Sequence, residues 1–282
     1  MELHDHGLAS DLEMMRRQAA ERRQVLRWLL AGAATLPLIS CGGGSDASGT
    51  VASSGASTGT LATPGTGACT VIAEETGGPY PADGTNTNGG SIINVLNQSG
   101  VVRSDIRASF NGATSVAAGV PLTIKLQLLN ASGGCAGLAG YAVYVWHCDR
   151  DGLYSLYSSG VTAQNYLRGV QETDSAGNVS FTTIFPGCYA GRMPHVHFEV
   201  YPSPAKAASA SNRIKTSQFT FPLATLNEAY AASGYTASVR NLAQISYASD
   251  NVFSDGASLQ MATVTGNATD GYVATLVIAV NG

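Results

Sequence analysis

The strongest constraint on the fold is a hydrophobic period of two that recurs beyond residue 120. From Pro121 to Asn130, the residues Leu122, Ile124, Leu126 and Leu128 alternate with Thr123, Lys125 and Gln127, which places the two sets on opposite faces of an extended strand. Asn178 to Phe185 alternates around Val179, Phe181 and Thr183, and Val196, Phe198 and Val200 alternate with His195, His197 and Glu199. Tyr141 to Cys148 is rich in β-formers, and Gln218 to Phe221 and Tyr272 to Val280 extend the series. Gly, Asp and Ser turns separate these short segments, and Leu223 to Ala232, where Ala and Leu concentrate after Pro222, predicts a helix. The expected class is all-β: an antiparallel β-sandwich core with long loops and at most one or two short helices.

The first 68 residues stand outside this pattern. Arg16-Arg17 and Arg22-Arg23 precede an apolar run from Trp28 to Ser40, too short for a bilayer core that needs about 20 residues. A charged segment followed by a short apolar one predicts an export signal over residues 1–41. Its arginine pairs resemble a twin-arginine signal, and Leu38-Ile39-Ser40-Cys41 resembles a bacterial lipobox, in which the cysteine is lipidated after cleavage. Residues 42–68 are nearly all Gly, Ser, Ala and Thr, a flexible linker, and residues 69–282 form the expected folded domain. The implied location is exported, either periplasmic or anchored on the outer face of a bacterial membrane.

Charge and cysteines narrow the classes further. Fifteen Lys and Arg against 19 Asp and Glu leave no basic face for nucleic acid, and 44% hydrophobic residues are too many for a disordered chain. Cys41, as the lipid site, accounts for the odd one among five cysteines. Cys69, Cys135, Cys148 and Cys188 remain as an even set in an oxidising compartment, and the sequence leaves their three pairings open.

Candidate metal ligands concentrate in Arg192-Met193-Pro194-His195-Val196-His197-Phe198. Residues two apart on a strand share a face, so His195 and His197 present two imidazoles side by side. Glu199 lies on the same face one step on, but a two-His-one-carboxylate set is not clearly supplied. Tyrosines are plentiful instead, at Tyr154 after Asp151-Gly152 and at Tyr189 after Pro186-Gly187. A phenolate is a hard, strongly donating anion, and two phenolates with two imidazoles suit Fe(III) better than Zn(II) or Fe(II). Against this stand structural readings: half-exposed strand histidines, and tyrosines that are simply packed aromatics. His147, beside Trp146 at a strand edge, reads as a hydrogen-bonded structural residue, and Asp149, Asp151 and Asp174 read as turn formers.

Asp149-Arg150-Asp151-Gly152-Leu153-Tyr154, Leu167-Arg168-Gly169-Val170-Gln171-Glu172-Thr173-Asp174, the run Gly177 to Tyr189 and His195-Val196-His197-Phe198 together resemble the intradiol ring-cleavage dioxygenases. Their exported single-domain branch shares Glu75-Thr76-Gly77-Gly78-Pro79-Tyr80, Arg103-Ser104-Asp105-Ile106 and Trp146-His147-Cys148-Asp149. The resemblance implies one non-haem Fe(III) per chain, held by Tyr154, Tyr189, His195 and His197, with Tyr154 retained and Tyr189 displaced when substrate binds. It further implies that Arg192 lies against the substrate ring and that Gln218 hydrogen-bonds near it. The implied activity is insertion of both atoms of O2 into a catechol-type ring, opening it to a cis,cis-muconate-type diacid. The partners are then the catechol and O2, with no nucleic acid and membrane contact only through the lipid anchor; oligomeric state stays open. Tyr157 and Tyr166 compete with Tyr154 for its role, but the Asp-Gly-x-Tyr context favours Tyr154. Pro194 before His195, and Cys188 beside Tyr189, depart from the family pattern. The alternative is a non-catalytic β-sandwich binding module that keeps the fold without the metal.

Overall fold

The computed structural model describes residues 69–282; the expected export signal and linker, with Cys41, lie outside the described residues. In chain order the strands are β1 (Asp83–Asn88), β2 (Ser91–Asn94), β3 (Pro121–Asn130), β4 (Ala136–Gly137), β5 (Ala142–Trp146), β6 (Arg168–Glu172), β7 (Asn178–Ile184), β8 (His195–Tyr201), β9 (Lys215–Thr220), β10 (Thr263–Asn267) and β11 (Gly271–Val280). The helices are short: α1 (Pro204–Ala207), α2 (Leu223–Ala229) and α3 (Thr236–Leu242), so the upper expectation of two is exceeded by one. Among the described residues no helix is long and apolar enough to cross a membrane.

One sheet runs β10-β11-β3, with β7 pairing along Pro121 to Gln127 of β3 and the short β4 pairing at Leu129 and Asn130. A second is antiparallel throughout, in the order β6-β5-β8-β9, and β1 and β2 pair as a separate two-stranded sheet. The first sheet departs from a purely antiparallel sandwich, because β11 runs parallel to β3 from Tyr272↔Leu122 to Val280↔Asn130. Alternation tells which face a residue occupies but not which way its neighbour strand runs, so the pattern in the sequence fits either direction. A second correction concerns Trp146: β5 is an interior strand between β6 and β8, and Trp146 is fully buried rather than at a sheet edge.

The alternating residues do what their period requires. Leu122, Ile124, Leu126 and Leu128 of β3, Val179 and Phe181 of β7, and Ala274, Leu276 and Ile278 of β11 pack against Val143 and Val145 of β5, Val196, Phe198 and Val200 of β8, and Phe219 of β9. That layer is the sandwich core. The opposite face of the second sheet carries Tyr144, Trp146, His195, His197, Glu199 and Gln218, all buried as well. Loops on either side of β1 and after β5 cover it: Tyr144 Oη donates to the Pro81 carbonyl at 2.8 Å, and Gln218 Nε2 donates to the Thr76 carbonyl at 2.8 Å. A disulfide between Cys69 and Cys135 ties the start of this domain to the β3–β4 turn, while Cys148 and Cys188 are buried free thiols. The second layer beneath those loops holds the site.

Candidate metal centre

Strand β8 is buried along all seven residues, which is why its two histidines behave differently from ordinary half-exposed strand histidines. His195 and His197 are 2% and 3% exposed. The His195 Nδ1–H donates to the Met193 carbonyl at 2.6 Å, which leaves Nε2 as the lone-pair nitrogen and aims it into the site. His197 is held instead by stacking: the Trp146 indole lies 4.7 Å from it and within 4° of parallel. Its Nδ1 is buried without a hydrogen-bond partner, although the Thr76 carbonyl, occupied by Gln218, lies near the ring. Burial, then the Arg192 charge, pushes His195 down to about 3; burial, His195 and Arg192 together hold His197 well below its usual range. Both rings are therefore neutral at ordinary pH, the state that a metal requires.

Two loops bring the tyrosines to this pair. In Asp149-Arg150-Asp151-Gly152-Leu153-Tyr154 the Asp149 carboxylate accepts from the Asp151 and Leu153 amides at 3.0 and 2.9 Å, folding the segment into a tight turn. Gly152 sits at φ +84°, and a Cβ there would come within 3.0 Å of the Tyr189 Cβ. Gly187 is tighter still: a Cβ would lie 2.6 Å from the Arg150 carbonyl oxygen and 2.7 Å from that of Asp149. These two glycines let the Tyr154 loop and the Tyr189 loop pack backbone to backbone. Tyr154 is buried, and Tyr189 is half-buried.

The result is three potential donor atoms gathered around His195 Nε2. His195 Nε2 lies 3.1 Å from His197 Nε2 and 3.4 Å from both Tyr154 Oη and Tyr189 Oη. Two donors that each sit about 2.0–2.1 Å from a common cation, at about 90–110°, are about 2.9–3.4 Å apart. The separations match that spacing. Among the described residues no group of three or more His, Cys, Asp and Glu could hold a metal ion. Two phenol oxygens with two neutral imidazoles fit a hard, high-valent ion such as Fe(III).

The chain matches the Dioxygenase family model over residues 100–216, a span that contains both tyrosines, both histidines and Arg192. The chain resembles the intradiol ring-cleavage dioxygenases in motif and in fold. An intradiol ring-cleavage dioxygenase from Tetranychus urticae shares 23% identity with a TM-score of 0.58, covering 76% of this chain and 95% of that one. The dioxygenase domain of a carbohydrate-binding fusion protein from Streptomyces sp. SirexAA-E shares 22% identity with a TM-score of 0.46, over 74% of this chain and 97% of that one.

On this fold the remaining candidates pack beside the two histidines and two tyrosines. Arg192 is buried beside the cluster; its Nε donates to Asp250 Oδ2 at 3.0 Å and its Nη2 to Gln218 Oε1 at 2.7 Å. Burial opposes its charge, but Tyr189 and Asp250 outweigh burial and hold the guanidinium above its usual range. Gln218, in register with His197 across β8 and β9, links Arg192 to the Thr76 carbonyl. Asp250 is the residue that sequence reasoning missed. It is fully buried in the turn after α3, where Oδ2 also accepts from the Met193 amide at 2.7 Å and Oδ1 accepts from the Val252 and Phe253 amides. Against burial, the Arg192 charge and the Met193 amide hold it below the usual carboxylate range. No motif marks it.

The competing readings resolve by where each group is committed. Glu199 is turned to Arg213 at 2.9 Å and to the Tyr201 hydroxyl at 2.7 Å, in a buried ion network with Asp83, and does not join the donors. Tyr157 Oη donates to Asn86 and accepts from the Ala82 amide, while Tyr166 Oη donates to Asp149. His147 bonds the Cys148 carbonyl and the Thr183 hydroxyl, both at 2.7 Å, as a structural histidine would. Cys188 is free and buried, so no disulfide stiffens the Tyr189 loop.

Proposed function

We propose that the protein is an exported intradiol dioxygenase that holds one non-haem Fe(III) through Tyr154, Tyr189, His195 and His197. It would open a catechol-type ring between its two hydroxylated carbons, inserting both atoms of O2 to give a cis,cis-muconate-type diacid. The observation that carries this reading is the convergence of two phenol oxygens and the His197 imidazole nitrogen within 3.1–3.4 Å of His195 Nε2. Fe(III) held by these residues would supply a Lewis acid that makes a bound catechol-type ring susceptible to dioxygen.

The protein side of the reaction follows from burial and charge. Tyr154 is enclosed and would keep its place; Tyr189, half-buried on its loop, would be the phenol that swings aside and takes up one catechol proton at Oη. Arg192 places a permanent cation beside the donor cluster, where it offsets negative charge that develops on the ring, and Asp250 and Gln218 fix its plane.

The test is to load the purified protein with ferric iron and follow the visible tyrosinate-to-iron charge-transfer band, then oxygen uptake against a panel of catechols. A red-brown protein that consumes one O2 per catechol and releases a diacid supports the reading; a colourless one that consumes none refutes it. The export proposal is checked separately, by the mass of the mature N-terminus, which should begin at Cys41 carrying lipid.

A further inference from the structure

We infer that Arg168 is a positioning residue for Tyr154, through a guanidinium grip that holds together the two segments flanking that phenol. The inference rests on Tyr154 being an iron ligand. Arg168 opens β6 and is 1% exposed. Its Nε donates to Ser155 Oγ at 3.1 Å and its Nη2 to the Ser155 carbonyl at 3.0 Å. Its Nη1 reaches the carbonyls of Tyr80 and Pro81 at 2.9 and 3.2 Å and the Tyr144 hydroxyl at 3.1 Å. Ser155 follows Tyr154 in the chain, and the Tyr80 ring packs on Tyr154 with centroids 4.8 Å apart and 32° between planes. One planar group thus ties the residue that follows Tyr154 to the backbone of Tyr80, whose ring packs on Tyr154.

None of these acceptors is a carboxylate. A desolvated guanidinium without an ionic partner is a costly way to fill space, and an apolar side chain of similar volume stabilises a core at least as well. An apolar side chain cannot hold three carbonyls and two hydroxyls in one plane, which the rigid fork of arginine does. Arg168 is itself anchored: Arg103 donates to the Arg168 carbonyl through Nε at 3.0 Å and Nη2 at 2.6 Å, and lies 4.4 Å over the Phe110 ring. The Arg103 and Arg168 segments, which take no part in the donor set, become a relay that ends at Tyr154.

The experiment compares Arg168→Met, Arg168→Lys and the milder Ser155→Ala with a Cys69→Ser/Cys135→Ser double variant that loses stability far from the site. Each protein is loaded with ferric iron, and iron affinity, charge-transfer band and Tm are measured together. Loss of an outer partner of a metal ligand weakens metal binding roughly 10–100-fold, so both Arg168 variants should bind iron that much more weakly and show a displaced or broadened tyrosinate band. Lysine should not rescue, because it keeps the charge but not the fork. Ser155→Ala should move the band in the same direction by less, and the disulfide variant should keep the wild-type band despite a lower Tm. Wild-type band and affinity in Arg168→Met, or in Ser155→Ala if the former does not fold, would overturn the inference. A wild-type protein that never develops the band refutes the iron reading instead, before any variant is compared.

Discussion

Replacing His147 with Asn is expected to flatten the acid limb of the stability curve. His147 lies at the end of β5, 1% exposed, with Nδ1–H directed to the Cys148 carbonyl and Nε2 to the Thr183 hydroxyl. The neutral tautomer satisfies both contacts; a second proton on the ring would take away the acceptor that the buried hydroxyl uses. Burial pushes this imidazole from 6.5 down to about 4. At about 1.4 kcal/mol per pH unit, that gap makes about 3 kcal/mol of stability depend on pH. The sign follows from proton counts. Between 6.5 and about 4 the unfolded chain has bound a proton here and the folded chain has not, so stability is complete above the window and drains away as pH falls through it. Asn can still donate an amide N–H to Cys148 and does not titrate, so it should cost a constant amount of packing but no pH-dependent amount. Urea unfolding of both proteins across that window reads the difference, in which His195 and His197, present in both, cancel. Wild-type and variant curves that stay parallel throughout would show that His147 titrates alike in both states, and the reasoning would be wrong.

Other outcomes follow from the same geometry. The Cys69–Cys135 bridge closes a loop of 66 residues, which on chain entropy alone stabilises the fold by about 4 kcal/mol; the double serine variant should lose about that much in urea unfolding. Arg192→Ala should lower kcat roughly 10²–10³-fold while leaving iron content unchanged, and equal losses of both would place Arg192 in metal retention instead. Asp250→Asn breaks a buried ion pair and should cost about 3–5 kcal/mol of stability, with a lowered kcat because Arg192 loses its orientation; unaltered stability would contradict the pairing seen at 3.0 Å.

The proposed donor set was legible because each of its members carries a local signature. His195 and His197 share a face by strand period, and Tyr154 and Tyr189 each follow a Gly-containing turn that allows the close approach now seen at Gly152 and Gly187. The groups that orient those residues and Arg192 were not legible in the same way. Asp250 lies 58 residues from Arg192 in sequence, and nothing in Ser246-Tyr247-Ala248-Ser249-Asp250 distinguishes it from a surface turn. Trp146 was visible as a β-strand aromatic, but its stacking on His197 depends on the register of β5 against β8. Arg168 was visible only as part of a recognisable run.

The sequence by itself determined the periodicity, and with it which side chains face the sandwich core and which face the second buried layer. It also supplied the donor chemistry, because phenol and imidazole at those spacings limit the ions that can be held. Tertiary structure alone decided the direction of β11 against β3, the Cys69–Cys135 pairing and the convergence of two loops on β8. The physical reason is the range of the interactions. Periodicity and turn chemistry are settled within a few residues, whereas a strand neighbour, a disulfide partner or the carboxylate behind Arg192 is chosen only when distant segments compete to satisfy buried polar groups in one place.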